Sequence, residues 1–163
     1  MGLFNSKPKI HDQALSELSQ MFSMDLAEDS TPGRELLDAS RLDYSVESLG
    51  LVDDYLDEMR KRKLEDQDYM KVVLRCGAYV GEVIRRNVPE KEYHWLDYKG
   101  AVKVSNMVKD FGESLGTAAV LWDGATGLTF PLGKIMKFLE NGREDSVKFL
   151  AQVVIEKATG KSE

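Results

Sequence analysis

Cysteine and histidine are scarce in this chain, which contains one cysteine, Cys76, and two histidines, His11 and His94. A single cysteine cannot form an internal disulfide, so the composition suits a reducing cytoplasm. Neither residue type occurs at the spacing of a zinc site, and there is no calcium-binding loop. The sequence therefore predicts no metal site, and we expect Cys76 to be a small core residue.

The sequence also lacks nucleotide-binding loops, basic blocks and long hydrophobic runs. Neither G-x-x-x-x-G-K-[ST] nor G-x-G-x-x-G occurs, so no nucleotide cofactor is predicted. The net charge of −6 argues against nucleic acid or anionic lipid as a partner, because both favour a basic surface. No apolar stretch approaches the roughly 20 residues that span a bilayer, and the N-terminus lacks the apolar core of a signal peptide. We therefore expect a cytoplasmic protein that binds neither membrane nor nucleic acid.

The chain has the size of one ordinary domain. Its 163 residues, of which 42% are hydrophobic, can bury a core without disulfides or metals. Residues 1–10 carry Pro8 and scattered lysines, which is typical of a flexible arm. We expect a single domain over residues 11–160, because no repeat, low-complexity tract or linker divides it.

The longest helical pattern covers residues 68–87. Its apolar residues recur at i, i+3, i+4 and i+7 and cover most of the circumference, which predicts a central helix buried on more than one side. Gly77 and Gly81 each cost roughly 1 kcal/mol relative to alanine in a helix, so we expect another element to pack closely against them. The remaining narrow stripe is polar and consists of Lys71, Arg75, Tyr79, Glu82 and Arg86.

Helical patterns also precede the central helix, over residues 12–27, 33–40 and 45–63. Asp12, Thr31 and Ser45 are residues of the kind that cap helix N-termini, and Pro32 suits the first position of the second helix. In the third helix the acidic residues precede the basic ones, as the helix macrodipole favours. The N-terminal half is therefore predicted to be helical.

Pro89 ends the central helix, and strand patterns follow it. Alternating or short apolar segments rich in strand formers cover residues 93–98, 101–108, 115–122 and 128–130. They predict a small antiparallel sheet of three to four strands. Two more amphipathic helices are predicted after the sheet, one ended by Gly142 as a left-handed C-cap and one running from about residue 144 to Gly160 with Val147, Leu150, Val153 and Val154 inward. The predicted fold class is α+β.

Residues 112–116 (GESLG) fit G-x-S-x-G, the turn that presents the nucleophile of many hydrolases. In that fold the catalytic histidine follows the serine, whereas both histidines of this chain precede Ser114. The segment is also followed by an apolar strand pattern rather than by a helix. We therefore interpret it as a hairpin turn, and no catalytic residue is predicted.

Three segments together resemble a group of uncharacterised bacterial proteins that share a domain of unknown function. They are LDYSVESL (42–49), GAYVGEVI (77–84) with the downstream Trp95, and the region from Pro131 that contains LENGREDS (139–146). The likeness covers about residues 40–155, and the middle segment is its most specific part. It implies a bacterial cytoplasmic protein with an α+β fold, and no activity or catalytic residue.

One set of polar and aromatic residues could form a ligand-binding site. A carboxylate between arginines and a tyrosine, facing a tryptophan, could bind a small polar molecule or act as an acid or base. Internal ion pairs on a half-buried helix would produce the same pattern, and the tryptophan is large enough to be core alone. The candidate residues are Arg75, Tyr79, Glu82 and Arg86 on the helix and His94, Trp95 and Asp97 on the following strand.

The sequence favours a non-enzymatic domain that binds another protein, as an accessory or immunity-type protein would. The acidic single domain has no recognisable catalytic set, and its aromatic segment 93–98 could present a binding face. The alternative is a small-ligand sensor or enzyme in which Glu82 acts, Arg75 or Arg86 anchors an anion and Trp95 stacks on the ligand. A homodimer could form through a sheet edge or through the Gly77 and Gly81 notch.

Overall fold

The computed structural model describes residues 7–26 and 28–160. These residues form seven helices and a three-stranded antiparallel sheet, which confirms the α+β class and the helical N-terminal half. The helices are α1 (Asp12–Ser23), α2 (Ser48–Met59), α3 (Asp66–Asn87), α4 (Tyr98–Val104), α5 (Met107–Phe111), α6 (Pro131–Asn141) and α7 (Val147–Thr159). The strands are β1 (His94–Leu96), β2 (Val120–Trp122) and β3 (Leu128–Thr129).

Helix α3 is the centre of the core, as its apolar pattern predicts, and it begins two residues earlier than residue 68. Helices α1, α6 and α7 and strand β1 pack around it. A Cβ atom on Gly77 would lie 2.7 Å from Leu132 Cδ1 of α6, and one on Gly81 would lie 2.0 Å from Trp95 Cζ2 of β1. The predicted close approach is confirmed. Because the chain fills this notch itself, the notch cannot be the interface of a homodimer.

The strand order in the sheet is β1-β2-β3, and each strand is shorter than the one predicted from the sequence. Trp95 pairs with Leu121, which pairs in turn with Thr129. The strand predicted over residues 101–108 is wrong, because this segment forms α4 and α5. The Asp97 carboxylate caps α4 by accepting the Gly100 N–H at 2.8 Å. The apolar residues at 102, 104 and 108 fit alternation, but those at 101, 104 and 108 fit a helix face equally well.

The hairpin turn predicted at residues 112–116 is also wrong. Leu115–Thr117 is a 3₁₀ turn between α5 and β2. The Ser114 N–H donates to Thr117 Oγ1 at 3.0 Å, and Thr117 Oγ1 donates to the Gly112 carbonyl at 2.9 Å. These local hydrogen bonds satisfy the backbone without a partner strand, so β2 begins only at Val120.

The N-terminal helices are shorter than predicted. Helix α1 ends at Ser23, and His11 rather than Asp12 is its N-cap residue. The helix predicted over residues 33–40 is wrong, because two 3₁₀ turns, Arg34–Leu36 and Ala39–Arg41, replace it. Helix α2 occupies only the middle of its predicted range, with the Ser45 hydroxyl accepting the Ser48 N–H at 3.1 Å.

The structure describes only part of the predicted N-terminal arm and does not describe the last three residues. Residues 1–6 of the predicted arm, Ala27 and residues 161–163 lie outside the described residues. At the described end of the arm, Ile10 forms an isolated antiparallel bridge with Leu96, which attaches it to the sheet. No helix within residues 7–26 and 28–160 is long and apolar enough to cross a bilayer.

Helices α6 and α7 are present, but α7 begins at Val147, after a 3₁₀ turn over Arg143–Asp145, and not near residue 144. Gly142 has φ 92° and ψ −151°, so it is not a left-handed helical C-cap, whereas Gly160 has φ 72° and ψ 17° and is one. In α7 only Val147 and Ala151 are buried. Leu150, Val153 and Val154, which were expected to point inward, are half-buried.

The glycine contacts predict opposite effects for two alanine substitutions. Gly81→Ala should destabilise the protein by about 1–3 kcal/mol, because the new methyl group overlaps the ring of buried Trp95. Gly50→Ala in α2 is the matched control, since its methyl group would meet nothing closer than Lys148 Cδ at 3.9 Å. It should stabilise the helix by up to about 1 kcal/mol. Urea denaturation measures both, and a Gly81→Ala protein as stable as the wild type would contradict this packing.

Candidate functional site

The predicted site residues of α3 separate into three clusters with different partners. Arg75 belongs to the first and is 6% exposed. Its guanidinium donates to the Asp29 carboxylate and carbonyl, each at 3.0 Å, and to Thr31 Oγ1 at 3.1 Å. Lys71 Nζ lies 2.7 Å from the other carboxylate oxygen of Asp29. Hydrogen bonds from Lys71 and Arg75 lower the pKa of Asp29 from its usual 3.8 to about 2. This cluster holds the segment after α1 against α3, away from Glu82.

Tyr79 and Arg86 belong to a second cluster, around Tyr44. The Tyr79 hydroxyl accepts the Tyr44 N–H at 3.0 Å and lies 2.7 Å from Ser48 Oγ. The Arg86 guanidinium lies 3.6 Å from the centre of the Tyr44 ring, in a cation–π contact. Tyr44 has φ +64°, an uncommon conformation for an aromatic residue. Its backbone and side chain are held by this network, so the Tyr44 conformation serves packing between α1, α2 and α3.

Glu82, His94 and Trp95 are brought together in the third cluster. Glu82 Oε2 accepts the Trp95 indole N–H and an Arg85 N–H, both at 2.9 Å. Arg85 also donates to Asp12 Oδ2 at 3.1 Å. Asp12 in turn lies 2.8 Å from His94 Nδ1 and accepts the Trp95 backbone N–H at 2.6 Å. The network joins the first residue of α1, the end of α3 and strand β1.

Sequence reasoning missed Asp12 and Arg85 as members of this cluster. The sequence predicts Asp12 as the N-cap of α1, and Arg85 lies next to the polar stripe of α3 but outside it. Asp97, which was included, is instead the N-cap of α4, and its Oδ2 lies 3.3 Å from His11 Nε2. Helical spacing identifies which residues share a face of α3, but the partners of that face come from distant segments.

Trp95 does not line a cavity with Glu82. A shallow depression of about 480 Å³ touches Glu82, Arg85, Arg86 and His94, but Trp95 is absent from its lining. The Glu82 carboxylate is 3% exposed and the Trp95 ring is fully buried. Trp95 therefore has no free face on which a ligand could stack. The predicted aromatic binding face over residues 93–98 is likewise turned inward at Tyr93, Trp95 and Leu96.

A concave surface larger than the depression at Glu82 lies elsewhere, in a groove of about 930 Å³ between α6, α7 and the β3 side of the sheet. We call it the α6/α7 groove. Phe111 and Phe130 pack edge to face at one wall, with ring centres 5.5 Å apart. Its apolar lining consists of Tyr93, Phe111, Leu128, Phe130, Met136, Leu150, Val153, Val154 and Ala158. Leu150, Val153 and Val154 of α7, which the sequence predicts to point inward, are half-buried because they face this groove.

The charged groups of the groove are mostly basic. Lys91, Lys134, Lys137 and Lys157 line it, against Asp123 and Glu140. Two of these six groups are already engaged: Lys134 pairs with Asp145 at 2.9 Å, and the Asp123 carboxylate accepts the N–H groups of Ala125 and Gly127. The signal in the sequence was the wide apolar arc of α7, of which only Val147 and Ala151 are buried.

The described residues offer little for covalent or metal chemistry. Burial raises the pKa of the Cys76 thiol well above its usual range, which keeps it protonated and unreactive. No group of three or more His, Cys, Asp or Glu residues in this part of the chain is placed to hold a metal ion. The α6/α7 groove offers apolar surface and ammonium groups, and it can therefore bind an amphipathic anionic partner.

The contacts of the third cluster predict that Glu82 contributes to the free energy of unfolding. This is expected if Glu82 has a structural role, and not if it only binds a ligand. Glu82→Leu should lower the free energy of unfolding by about 2–3 kcal/mol, because the Trp95 indole and Arg85 lose a buried acceptor. Glu82→Gln retains a carbonyl oxygen for the indole and should lose less. Urea denaturation followed by tryptophan fluorescence measures both. A Glu82→Leu protein with unchanged stability would show that this network does not hold the fold.

The low pKa of Asp29 predicts a pH dependence. A carboxyl group whose pKa is lowered in the folded state stabilises the protein above its unfolded pKa, and the effect is lost as pH falls through the folded pKa. The difference in unfolding free energy between wild type and Asp29→Asn should therefore be constant near neutral pH and shrink between pH 3.8 and about 2. Urea titrations at a series of pH values measure it. A difference that persists unchanged at the acid end would contradict the ion pairs with Lys71 and Arg75.

Comparison with known proteins adds no functional information. No family model matches the chain, and no curated protein or solved structure matches it. The resemblance to a bacterial domain of unknown function therefore stays a prediction, and function has to be argued from the surface of this molecule.

Proposed function

We propose that this protein is a non-enzymatic protein-binding domain, of accessory or immunity type, that acts by holding a partner in the α6/α7 groove. The observation that carries the proposal is the groove itself: about 930 Å³, with apolar side chains along its floor. Assignment to a bacterial cytoplasm rests on the resemblance of residues 77–84 and on the single cysteine. The acidic net charge of −6 supports a protein partner over nucleic acid.

Exposed apolar side chains at the groove support binding over catalysis. Phe111, which lines the groove, is 57% exposed. Large apolar side chains that remain in water close to a concave apolar surface are typical of interaction sites. The groove carboxylate of Asp123 is held by backbone N–H groups of its own turn, so it serves the turn and is not directed at a substrate.

The alternative, a small-ligand sensor or enzyme built on Glu82, has weaker support. Arg75 and Arg86 bind Asp29 and the Tyr44 ring, respectively. Trp95 is fully buried, with its indole N–H bound to Glu82. A ligand at Glu82 would have to break the ion pair with Arg85 and displace the tryptophan, and we therefore place the binding surface at the α6/α7 groove.

A photo-crosslinking experiment tests the proposal with a matched control. The photoreactive analogue p-benzoylphenylalanine replaces Phe111, which lines the groove, or Phe149, which is 65% exposed and does not line it. Irradiation in cells of the native organism should join the Phe111 analogue, but not the Phe149 analogue, to one defined protein. Mass spectrometry of the adduct identifies that protein.

A groove-filling substitution completes the test. Gly133 lines the groove, and a Cβ atom there would make only ordinary contacts, the nearest at 3.6 Å to the Gly116 carbonyl oxygen. Gly133→Leu extends a side chain from this position and should abolish the Phe111 crosslink, with far-UV circular dichroism to verify that the variant is folded. Equal crosslinking at both phenylalanine positions, no adduct at Phe111, or an adduct with the mass of a small molecule would overturn the proposal.

A further inference from the structure

The α6/α7 groove is basic although the chain as a whole is acidic. Within the part of the chain that the structure describes, no hydrogen bond or ion pair engages the ammonium groups of Lys91, Lys137 and Lys157. Of the two carboxylates that line the groove, that of Glu140 likewise has no hydrogen bond or ion pair within the described residues. All four of these residues are exposed. The unengaged charge at the groove is therefore positive, on a protein of net charge −6.

The apolar floor has the form of a helix-binding surface. Along α7, Leu150, Val153, Val154 and Ala158 recur at i, i+3, i+4 and i+8, which places them on one face. From Leu150 to Ala158 this face extends about 12 Å along the helix axis. Met136 of α6 lines the opposite wall. Two neighbouring helices with an uncovered apolar seam between them leave room for a third helix to pack by ridges and grooves.

An added β-strand fits the groove less well than a helix. The sheet edge at the groove is β3, which has only two residues, Leu128 and Thr129. Two residues offer too few backbone hydrogen bonds to recruit an extended peptide. The opposite edge strand is β1, and there Ile10 already pairs with Leu96.

We infer that the partner presents an acidic amphipathic helix, with its apolar face on the α6/α7 groove and its carboxylates facing Lys91, Lys137 and Lys157. This inference rests on the proposed function and specifies the partner's chemistry. Apolar contact would supply most of the affinity, and the lysines would select the sign of the partner's charge and its orientation.

Two synthetic peptides of about 16 residues, or roughly 24 Å of helix, test the charge selection. Both carry the same leucine face at i, i+3, i+4 and i+7, and their polar faces carry either glutamate or lysine. Fluorescence anisotropy with a labelled peptide measures the dissociation constants. The glutamate peptide should bind about tenfold more tightly or better, and its advantage should fall as the salt concentration rises.

Charge reversal in the groove provides the controlled variant. Lys137→Glu with Lys157→Glu should weaken the glutamate peptide by about tenfold and strengthen the lysine peptide. Lys63→Glu with Lys99→Glu makes the same change in net charge at exposed lysines that do not line the groove, and it should leave the preference unchanged. Gly133→Leu should abolish binding of both peptides. Far-UV circular dichroism verifies that each variant is folded.

The inference is overturned by equal binding of the two peptides, by tighter binding of the lysine peptide, or by loss of the preference in the Lys63 and Lys99 control. Displacement of the peptide by dodecanoate at low concentration, with no crosslinked protein at Phe111, would identify a fatty-acid site and overturn the proposed function as well. A protein crosslinked at Phe111, together with no charge preference, would overturn only the acidic helix.

Discussion

The structure depends on the contact between the Trp95 indole and the backbone of α3 at Gly81. The ring lies where any Cβ on residue 81 would be, about 2.0 Å from its Cζ2 atom. A buried indole N–H needs an acceptor, and Glu82, the next residue of α3, provides it at 2.9 Å. One tryptophan thereby sets both the distance and the rotation between β1 and α3.

The charge of Glu82 then dictates the neighbouring interactions. A buried carboxylate is stable only with a partner, and Arg85 on the next turn supplies it while also reaching Asp12. Asp12 brings the start of α1 onto β1 through the backbone N–H of Trp95. Helix α1 is therefore held in place by Glu82 of the polar stripe through Arg85 and Asp12, two charges that lie outside the stripe.

The candidate binding surface therefore lies at a different place from the site that the sequence predicts. The residues with the most conspicuous chemistry, Arg75, Glu82 and Trp95, are occupied by internal partners. Apolar side chains are left partly in water between α6 and α7, which is where we propose the binding surface. This surface is inconspicuous residue by residue, since its lining combines common aliphatic and aromatic side chains with lysines, and it becomes recognisable only when the helices are assembled.

The sequence by itself determined the elements whose apolar period is long or whose ends are marked. Helix α3 was predicted to within two residues at its start and ends where predicted, and its glycine notch was recognised because two helical glycines need a compensating contact. It could not distinguish helix from strand over residues 101–108, where helical spacing fits Ala101, Val104 and Val108 and alternation fits Val102, Val104 and Val108. Only the tertiary structure decided which partner each polar group has, because Asp12 and Glu82 are 70 positions apart in the chain and no local pattern encodes their common use of Arg85. For the same reason only the assembled helices reveal the α6/α7 groove, since an apolar residue is part of a binding surface or of the core according to what the rest of the chain leaves uncovered.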